Sequence, residues 1–105
     1  MLEKTYQAKL VKKLYSLLPD CIVLKNDSEY MQGIPDLLVL FNNQWAALEV
    51  KRRKPAPKDF EPNQEYYLER LGSMSFAACV YPENEEEVIN ALLETFRVTS
   101  SSRVS

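Results

Sequence analysis

The sequence predicts a single mixed α/β (α+β) domain in which helices flank a mixed four-stranded sheet, in the order αβββαβα. Three observations predict this fold class. The length of 105 residues suits one hydrophobic core. Apolar residues recur at helical spacing towards both ends of the chain, and short apolar runs bounded by turn residues lie between them. The domain is predicted over residues 1–97, and the serine-rich residues 98–105 are predicted to form a disordered tail.

Three helices are predicted from apolar spacing and end signals. The first spans about residues 2–18, because its apolar residues recur every three or four positions and Pro19 follows. The second begins near residue 63 and is predicted to stop at Gly72. Asn84 is predicted to cap the third helix with Glu87 three residues on, as in a capping box, and this helix runs to about Phe96.

Four strands are predicted from short apolar runs, which span residues 21–24, 37–41, 45–51 and 76–81. The residues Asn42-Asn43-Gln44 are few enough to close a hairpin between the second and third strands, and asparagine tolerates the positive φ of tight turns. Residues 26–33 and 52–62 are polar or rich in proline, and they predict exposed loops.

The composition excludes several classes of site. The chain has no histidine, which excludes histidine general bases, serine–histidine triads and histidine-ligated zinc. Cys21 and Cys79 lie in apolar runs without metal-ligand spacing, so we interpret them as small buried residues in a reducing compartment. No run approaches the roughly 20 apolar residues of a membrane span, and the first residues lack the apolar segment of a signal peptide. A cytoplasmic location is therefore expected.

The charge is distributed unevenly along the chain. Residues 51–58 carry five positive charges and no acid, which leaves −7 on the remainder of a chain whose total is −2. Part of that negative charge is the acidic start of the last helix, Glu83 to Glu87. A local basic patch on an acidic protein can still guide a polyanion to one face of the molecule.

The segments that carry chemistry are Gly33-Ile34-Pro35-Asp36 and, beyond the predicted hairpin, Glu49-Val50-Lys51. Alternate residues of a strand share a face, so Glu49 and Lys51 lie on one face and Val50 on the other. A hairpin brings its far ends together, so Asp36 can reach the same place. Two carboxylates and one lysine are then expected to converge at the edge of the sheet.

This set of groups suits phosphodiester hydrolysis. Two carboxylates supply oxygen ligands for Mg²⁺ or Mn²⁺, which activates a water and removes the need for a histidine base. A lysine can stabilise the charge that develops on the phosphate. The ordinary alternative is that Glu49 and Lys51 form a weak exposed charge pair and that Pro35-Asp36 opens a turn.

At these residues the sequence resembles the PD-(D/E)XK nuclease superfamily, and most closely its VRR-NUC branch, which lies near the Holliday-junction resolvases. The resemblance runs from about Glu3 to Leu93. Lys25 precedes the loop, Gly33 opens the glycine-isoleucine-proline-aspartate signature, Glu49-Val50-Lys51 ends the next strand and Gln64 begins a helix. The resemblance implies a restriction-endonuclease-like core.

The same resemblance implies a role for each matching residue. Asp36, Glu49 and the backbone carbonyl of Val50 would ligate the metal, and Lys51 would be the catalytic lysine. Gln64 would lie beside the site, or be a plain polar residue near a helix start. Two further residues have equally ordinary alternatives. Glu3 is the candidate for an acid on the first helix, or a first-turn helix acid. Lys25 would contact nucleic acid, or be a solvated charge at a strand end.

The resemblance also implies DNA as the partner, structure-specific cutting of junctions, flaps or branched duplexes, and a homodimer. No small organic cofactor and no membrane partner are expected. The basic segment beside the catalytic strand is predicted to contact DNA phosphates, or else to be a solvated charge run; its members are Arg52, Arg53, Lys54 and Lys58. Two other functions stay open: a non-catalytic nucleic-acid-binding or assembly protein on the same fold, and an interaction module that uses the acidic last helix.

Overall fold

The computed structural model describes residues 1–97 as one α/β domain, and the predicted order αβββαβα is confirmed. The tail predicted at residues 98–105 lies outside the described residues. The helices and strands have these bounds: α1 Glu3–Leu17, β1 Ile22–Lys25, β2 Leu37–Phe41, β3 Gln44–Val50, α2 Gln64–Met74, β4 Phe76–Val80 and α3 Glu85–Thr95. Short 3-10 turns at Pro57–Asp59 and Pro82–Asn84 precede α2 and α3.

The four strands form one sheet in the order β1-β2-β3-β4. The first three strands are antiparallel neighbours, and β4 runs parallel to β3. Phe41 pairs with Gln44, so the hairpin turn consists of Asn42 and Asn43, and Asn42 adopts the predicted positive φ, 56°. A parallel neighbour needs a crossover connection, and α2 provides it between β3 and β4.

One face of the sheet carries the hydrophobic core. In β3 this face presents Ala46, Leu48 and Val50, all at most 1% exposed, as the alternation predicts. Helices α1 and α3 pack on it through apolar residues at helical spacing, and the buried members are Tyr6, Leu10, Leu14, Val88, Ile89 and Leu92. The core therefore lies between the sheet and the first and last helices.

A polar link joins α1 to α3 at the edge of this core. The Tyr6 hydroxyl donates a hydrogen bond of 2.8 Å to Glu85 Oε1, and Lys13 Nζ lies 2.7 Å from Glu85 Oε2. Burial, the hydrogen bond to Glu85 and the charge of that residue raise the pKa of Tyr6. Burial alone would raise the pKa of Glu85, but the hydrogen bonds from Lys13 and Tyr6 lower it below its usual value.

Helix α2 covers part of the opposite face of the sheet. Ala77 and Cys79 lie on that face of β4, and a Cβ atom on Gly72 of α2 would stand 3.8 Å from the Ala77 Cβ. At the other end of the sheet, Ile22 and Leu24 of β1 remain 54% and 45% exposed. This face is therefore partly covered, and it is the face on which Glu49 lies.

Two helix-end predictions are wrong. Helix α2 continues through Gly72 to Met74, because this glycine is a helical residue rather than a left-handed C-terminal cap. Asn84 occupies the N-cap position of α3 as predicted, but its side chain makes no capping hydrogen bond and Glu87 completes no capping box with it. The Asn84 side chain instead accepts a hydrogen bond from the Tyr81 N–H and donates one to the Cys79 carbonyl. The predicted run of acids in the first turn of α3 is confirmed.

Two further properties of residues 1–97 bear on the sequence predictions. None of the helices in this range is both long and apolar enough to cross a membrane. Cys21 and Cys79 are both free thiols. Cys21 is buried as predicted, whereas Cys79 is half-buried on the α2 side of the sheet.

Candidate active site

The strand register places Asp36 opposite Glu49. Leu37 pairs with Leu48 in the antiparallel β2–β3 ladder, so the residue before Leu37 faces the residue after Leu48. The Val50 N–H donates a hydrogen bond of 2.8 Å to Asp36 Oδ2, which fixes this carboxylate against the end of β3. Residues opposite each other in a ladder share a face, so the two carboxylates meet on the α2 side of the sheet.

Glu49 is buried and Asp36 is half-buried, and the pKa values of both carboxyl groups reflect this. Glu49 is 3% exposed. Burial, and after it the nearby charge of Asp36, raises the pKa of Glu49 to about 7, although Lys51 opposes the shift. Burial also raises the pKa of Asp36, against the stabilising hydrogen bond from Val50. Two adjacent acids with raised pKa values in an otherwise stable sheet are typical of a functional site.

Gln64 connects the carboxylate pair to the start of α2. This residue is 8% exposed, and its Nε2 donates a hydrogen bond of 2.8 Å to Glu49 Oε2. Its Oε1 accepts a hydrogen bond of 2.8 Å from the Glu61 N–H. The two bonds fix the orientation of the amide, so Gln64 is a buried part of the site rather than a plain surface residue.

Lys51 is held beside Glu49 by several groups. Its Nζ lies 3.5 Å from Glu49 Oε2, 3.4 Å from Gln64 Oε1 and 3.2 Å from the Asp59 carbonyl oxygen. The same ammonium lies 5.6 Å from the centre of the Phe60 ring, within the range of a cation–π contact. The lysine is therefore positioned by groups from β3, α2 and the loop between them.

The contribution of Asp59 and Phe60 was missed by the sequence interpretation. The Asp59 side chain accepts a hydrogen bond of 2.8 Å from the Ala56 N–H, which closes the 3-10 turn and brings this segment back over Lys51. The proline at the start of the turn was the one available signal, because proline favours the first position of such a turn. Nothing in the sequence pattern showed that the turn returns to the lysine.

A shallow cleft opens beside Lys51, with Glu3 on its wall. The residues that line it are Glu3, Lys51, Arg52, Arg53, Pro55 and Asp59. Glu3 is exposed in the first turn of α1, and its charge contributes to the raised pKa of the Cys79 thiol. The structure thus brings Glu3, Arg52 and Arg53 to the edge of the carboxylate site, although none of the three forms a hydrogen bond or an ion pair with Asp36 or Glu49.

The remaining predicted contacts lie farther along the same elements. Lys54 and Lys58 are exposed on the loop that follows β3. Lys25 is exposed at the end of β1 and pairs with Leu37, next to Asp36. Val50 contributes its N–H to Asp36, while its side chain is buried in the core on the other face.

Cys79 is a neighbour of the site that the sequence interpretation did not include. It pairs with Glu49 in the parallel β3–β4 ladder and lies on the same face. Burial, and after it the charge of Glu49, raises the pKa of the Cys79 thiol to about 11. The thiol therefore stays protonated and neutral beside the carboxylates at pH 7.

One oxygen of the carboxylate pair has no partner within the described residues. Glu49 Oε1 is buried and has no hydrogen-bond partner, whereas Oε2 is bound by Gln64 and Lys51. A bare buried carboxylate oxygen is costly, and a bound cation would offset that cost. Within residues 1–97 no group of three or more acidic, cysteine or histidine side chains is assembled as a metal site. Two carboxylates are placed to hold an ion here. This number suits Mg²⁺, which keeps several of its waters and usually binds only one or two carboxylates of a protein.

Comparisons with known proteins found no match for this chain. No family model matches the chain, and neither a curated protein nor a solved structure matches it.

Proposed function

We propose that this protein is a nuclease that hydrolyses DNA phosphodiester bonds at Asp36, Glu49 and Lys51 with the help of Mg²⁺ or Mn²⁺. The observation that supports it most directly is the buried and unpartnered Oε1 of Glu49. Glu49 shares a face with Asp36, and its other oxygen, Oε2, lies 3.5 Å from the Lys51 ammonium. Carboxylate oxygens and a lysine in this arrangement match the needs of phosphate chemistry.

Each group of the chain has a definite task in this proposal. Asp36 and Glu49 would hold the ion, with the Val50 carbonyl as the further ligand that the family resemblance implies. The bound ion would supply Lewis-acid polarisation of the phosphate and a water of lowered pKa. Lys51 donates hydrogen bonds to the phosphate as negative charge develops on the phosphate oxygens. Gln64 keeps Glu49 and Lys51 in their relative positions.

The loop after β3 supplies the attraction for DNA. Arg52 and Arg53 line the cleft next to Lys51, and their charges suit the phosphates on either side of the reacting one. Such contacts position a strand without reading its sequence. A preference for branched DNA and a pair of sites in a homodimer are proposed from the family resemblance alone.

The decisive experiment combines metal binding with cleavage. Thermal unfolding of the parent is measured with and without Mn²⁺, alongside Asp36→Asn and Glu49→Gln, with Glu86→Gln as an exposed acid control on α3. Mn²⁺ should stabilise the parent and the control but neither site variant. Cleavage of single-stranded, duplex, flap and four-way DNA should fall more than about 100-fold in both site variants.

Two results would count against the proposal. Cleavage that persists undiminished in folded Asp36→Asn and Glu49→Gln would remove the site assignment. Stabilisation by Mn²⁺ in the parent without cleavage of any substrate in the panel would instead favour a non-catalytic protein that binds nucleic acid through the same fold.

A further inference from the structure

The loop between β1 and β2 presents an exposed aromatic side chain on an ordered turn. Tyr30 is 86% exposed, more than any other large hydrophobic side chain in the described part of the chain. Its N–H and that of Met31 both donate to the Asp27 carbonyl at 3.2 Å, and the Glu29 N–H donates to Asp27 Oδ1 at 2.8 Å. The backbone at Tyr30 is thus fixed by hydrogen bonds while its ring remains in solvent.

The base of this loop is attached to the candidate active site. The Asn26 N–H donates to the Asp36 carbonyl at 2.8 Å, and the Asn26 side chain donates to the Pro35 carbonyl at 2.7 Å. Gly33 has a positive φ of 89° and packs so closely that a Cβ there would meet Pro62 and Asn63 at 2.7 Å. These residues lead directly into Gln64, so the loop and the start of α2 form one continuous wall of the site.

This wall and the basic loop complement each other. Arg52 and Arg53 line the cleft beside Lys51. Proteins that hold single strands combine basic grooves, which follow the backbone, with aromatic rings on which bases stack.

The charges around Tyr30 indicate which part of a nucleic acid would meet it. Asp27 and Glu29 precede Tyr30 in the same turn and carry negative charge, so they repel phosphates at the loop tip. A nucleobase stacks through its flat uncharged face and has no such conflict. The neighbouring Ser28 and Gln32 are polar and exposed, and Met31 is 39% exposed, so the ring stands on a mostly polar surface, unlike the apolar centre of a protein interface.

We propose that Tyr30 stacks on an unpaired nucleobase of the strand that enters the site. The substrate class is then DNA with at least one unstacked nucleotide next to the scissile phosphate, such as a single strand, a flap or a splayed branch. An interior base of a duplex is stacked on both sides and lacks the free face that Tyr30 needs. This inference rests on the proposed nuclease function and adds to it the feature by which substrates are selected.

The test uses the full chain in EDTA, so that DNA binds without being cut. A single-stranded oligonucleotide with one 2-aminopurine reports stacking through quenching of its fluorescence, and a blunt duplex of the same sequence is the comparison. Tyr30→Ala should weaken binding of the single strand about 5- to 150-fold and abolish the quenching. Tyr30→Phe should retain both, and Met74→Ala, which removes another exposed side chain at the far end of α2, should change neither.

The outcomes separate this inference from the proposed function. Binding and quenching in Tyr30→Ala equal to those of the parent would overturn the stacking role. A change in sedimentation that shows Tyr30 at a contact between copies of the chain would also overturn it. Metal-dependent cleavage by a parent that does not quench the probe would leave the nuclease proposal intact and remove this inference alone. A parent that neither binds nor cleaves DNA would remove both.

Discussion

The two faces of the central sheet use the same strands for opposite purposes. On the face covered by α1 and α3, β3 presents Leu48 and Val50 to a closed apolar core. On the face covered by α2, the alternating residue Glu49 is as deeply buried, but it meets Asp36, Lys51 and Gln64. The face covered by α1 and α3 excludes water, and the face covered by α2 holds charged side chains in fixed positions with little access to solvent.

The difference indicates where stability and chemistry are located. Burial of apolar side chains stabilises the folded state without requiring a charged partner, a proton or a bound ion. A buried carboxylate costs free energy unless it is paired, protonated or bound to a cation, and Glu49 has one oxygen with no partner. Residues on the first face should therefore stabilise the fold at any pH, while the effect of the second face on stability should depend on protonation and on bound metal.

The largest stability effect should come from the core face. Leu48→Ala removes a side chain that is 1% exposed, so unfolding should become easier by about 2 to 5 kcal/mol. Chemical denaturation measures this change. Met74→Ala, which truncates a side chain 58% exposed at the end of α2, is the control and should stay within about 0.5 kcal/mol. A Leu48→Ala protein as stable as the parent would contradict the division between the faces.

A pH effect of similar size should come from the site face. The pKa of Glu49 is raised from 4.5 to about 7, so the folded state binds more protons than the unfolded state between these values. Stability of the metal-free protein should therefore fall as pH rises through this window and level off above it. The full change corresponds to about 3 kcal/mol.

Denaturation of metal-free protein at pH 5, 6, 7 and 8 measures the change in stability with pH. In Glu49→Gln the group no longer titrates, so most of the decline should disappear. Added Mn²⁺ should also remove it from the parent, because the ion favours the ionised carboxylate. A parent whose stability rises between pH 5 and 7 would show that Glu49 is not held in its neutral form.

A smaller effect should come from the ring beside Lys51. Phe60→Leu keeps an apolar side chain but removes the cation–π contact at 5.6 Å, so kcat for DNA cleavage should fall about 2- to 30-fold. Phe60→Tyr should restore most of it. KM should stay near the parent value if the ring positions Lys51 for the reaction and does not contact DNA. Equal losses in the leucine and tyrosine variants would instead indicate a packing role.

Much of both faces could be predicted from sequence because their determinants are local. Strand alternation separates Glu49 from Leu48, and a two-residue hairpin turn is enough to bring Asp36 opposite Glu49. The same reasoning missed the contacts of Lys51 with Asp59 and Phe60, because the path of an eleven-residue loop has no periodicity to follow. Family resemblance supplied Gln64, and the structure shows its hydrogen bond to Glu49.

The errors at helix ends have a common cause. Asn84 has the residue type and position of an N-terminal cap, but hydrogen bonds with the Tyr81 N–H and the Cys79 carbonyl, across the preceding 3-10 turn, engage its side chain. Gly72 has the residue type of a C-terminal cap, but the chain continues as helix to Met74 before β4 begins. Residue preferences describe isolated ends, whereas packing against the sheet decides where these helices stop.

The smallest predicted effect tests whether Gly72 is needed at all on the α2 face. A glycine inside a helix destabilises it relative to alanine, and it is retained where a neighbour leaves no room. Here a Cβ would make an ordinary contact of 3.8 Å with Ala77, and the φ of Gly72 is not positive. Gly72→Ala should therefore stabilise the fold by about 0.5 to 1 kcal/mol with cleavage unchanged.

The matched change Gly33→Ala should destabilise the fold, because φ is 89° there and Pro62 and Asn63 occupy the space. If both substitutions destabilise the protein equally, α2 packs on β4 more tightly than this spacing indicates.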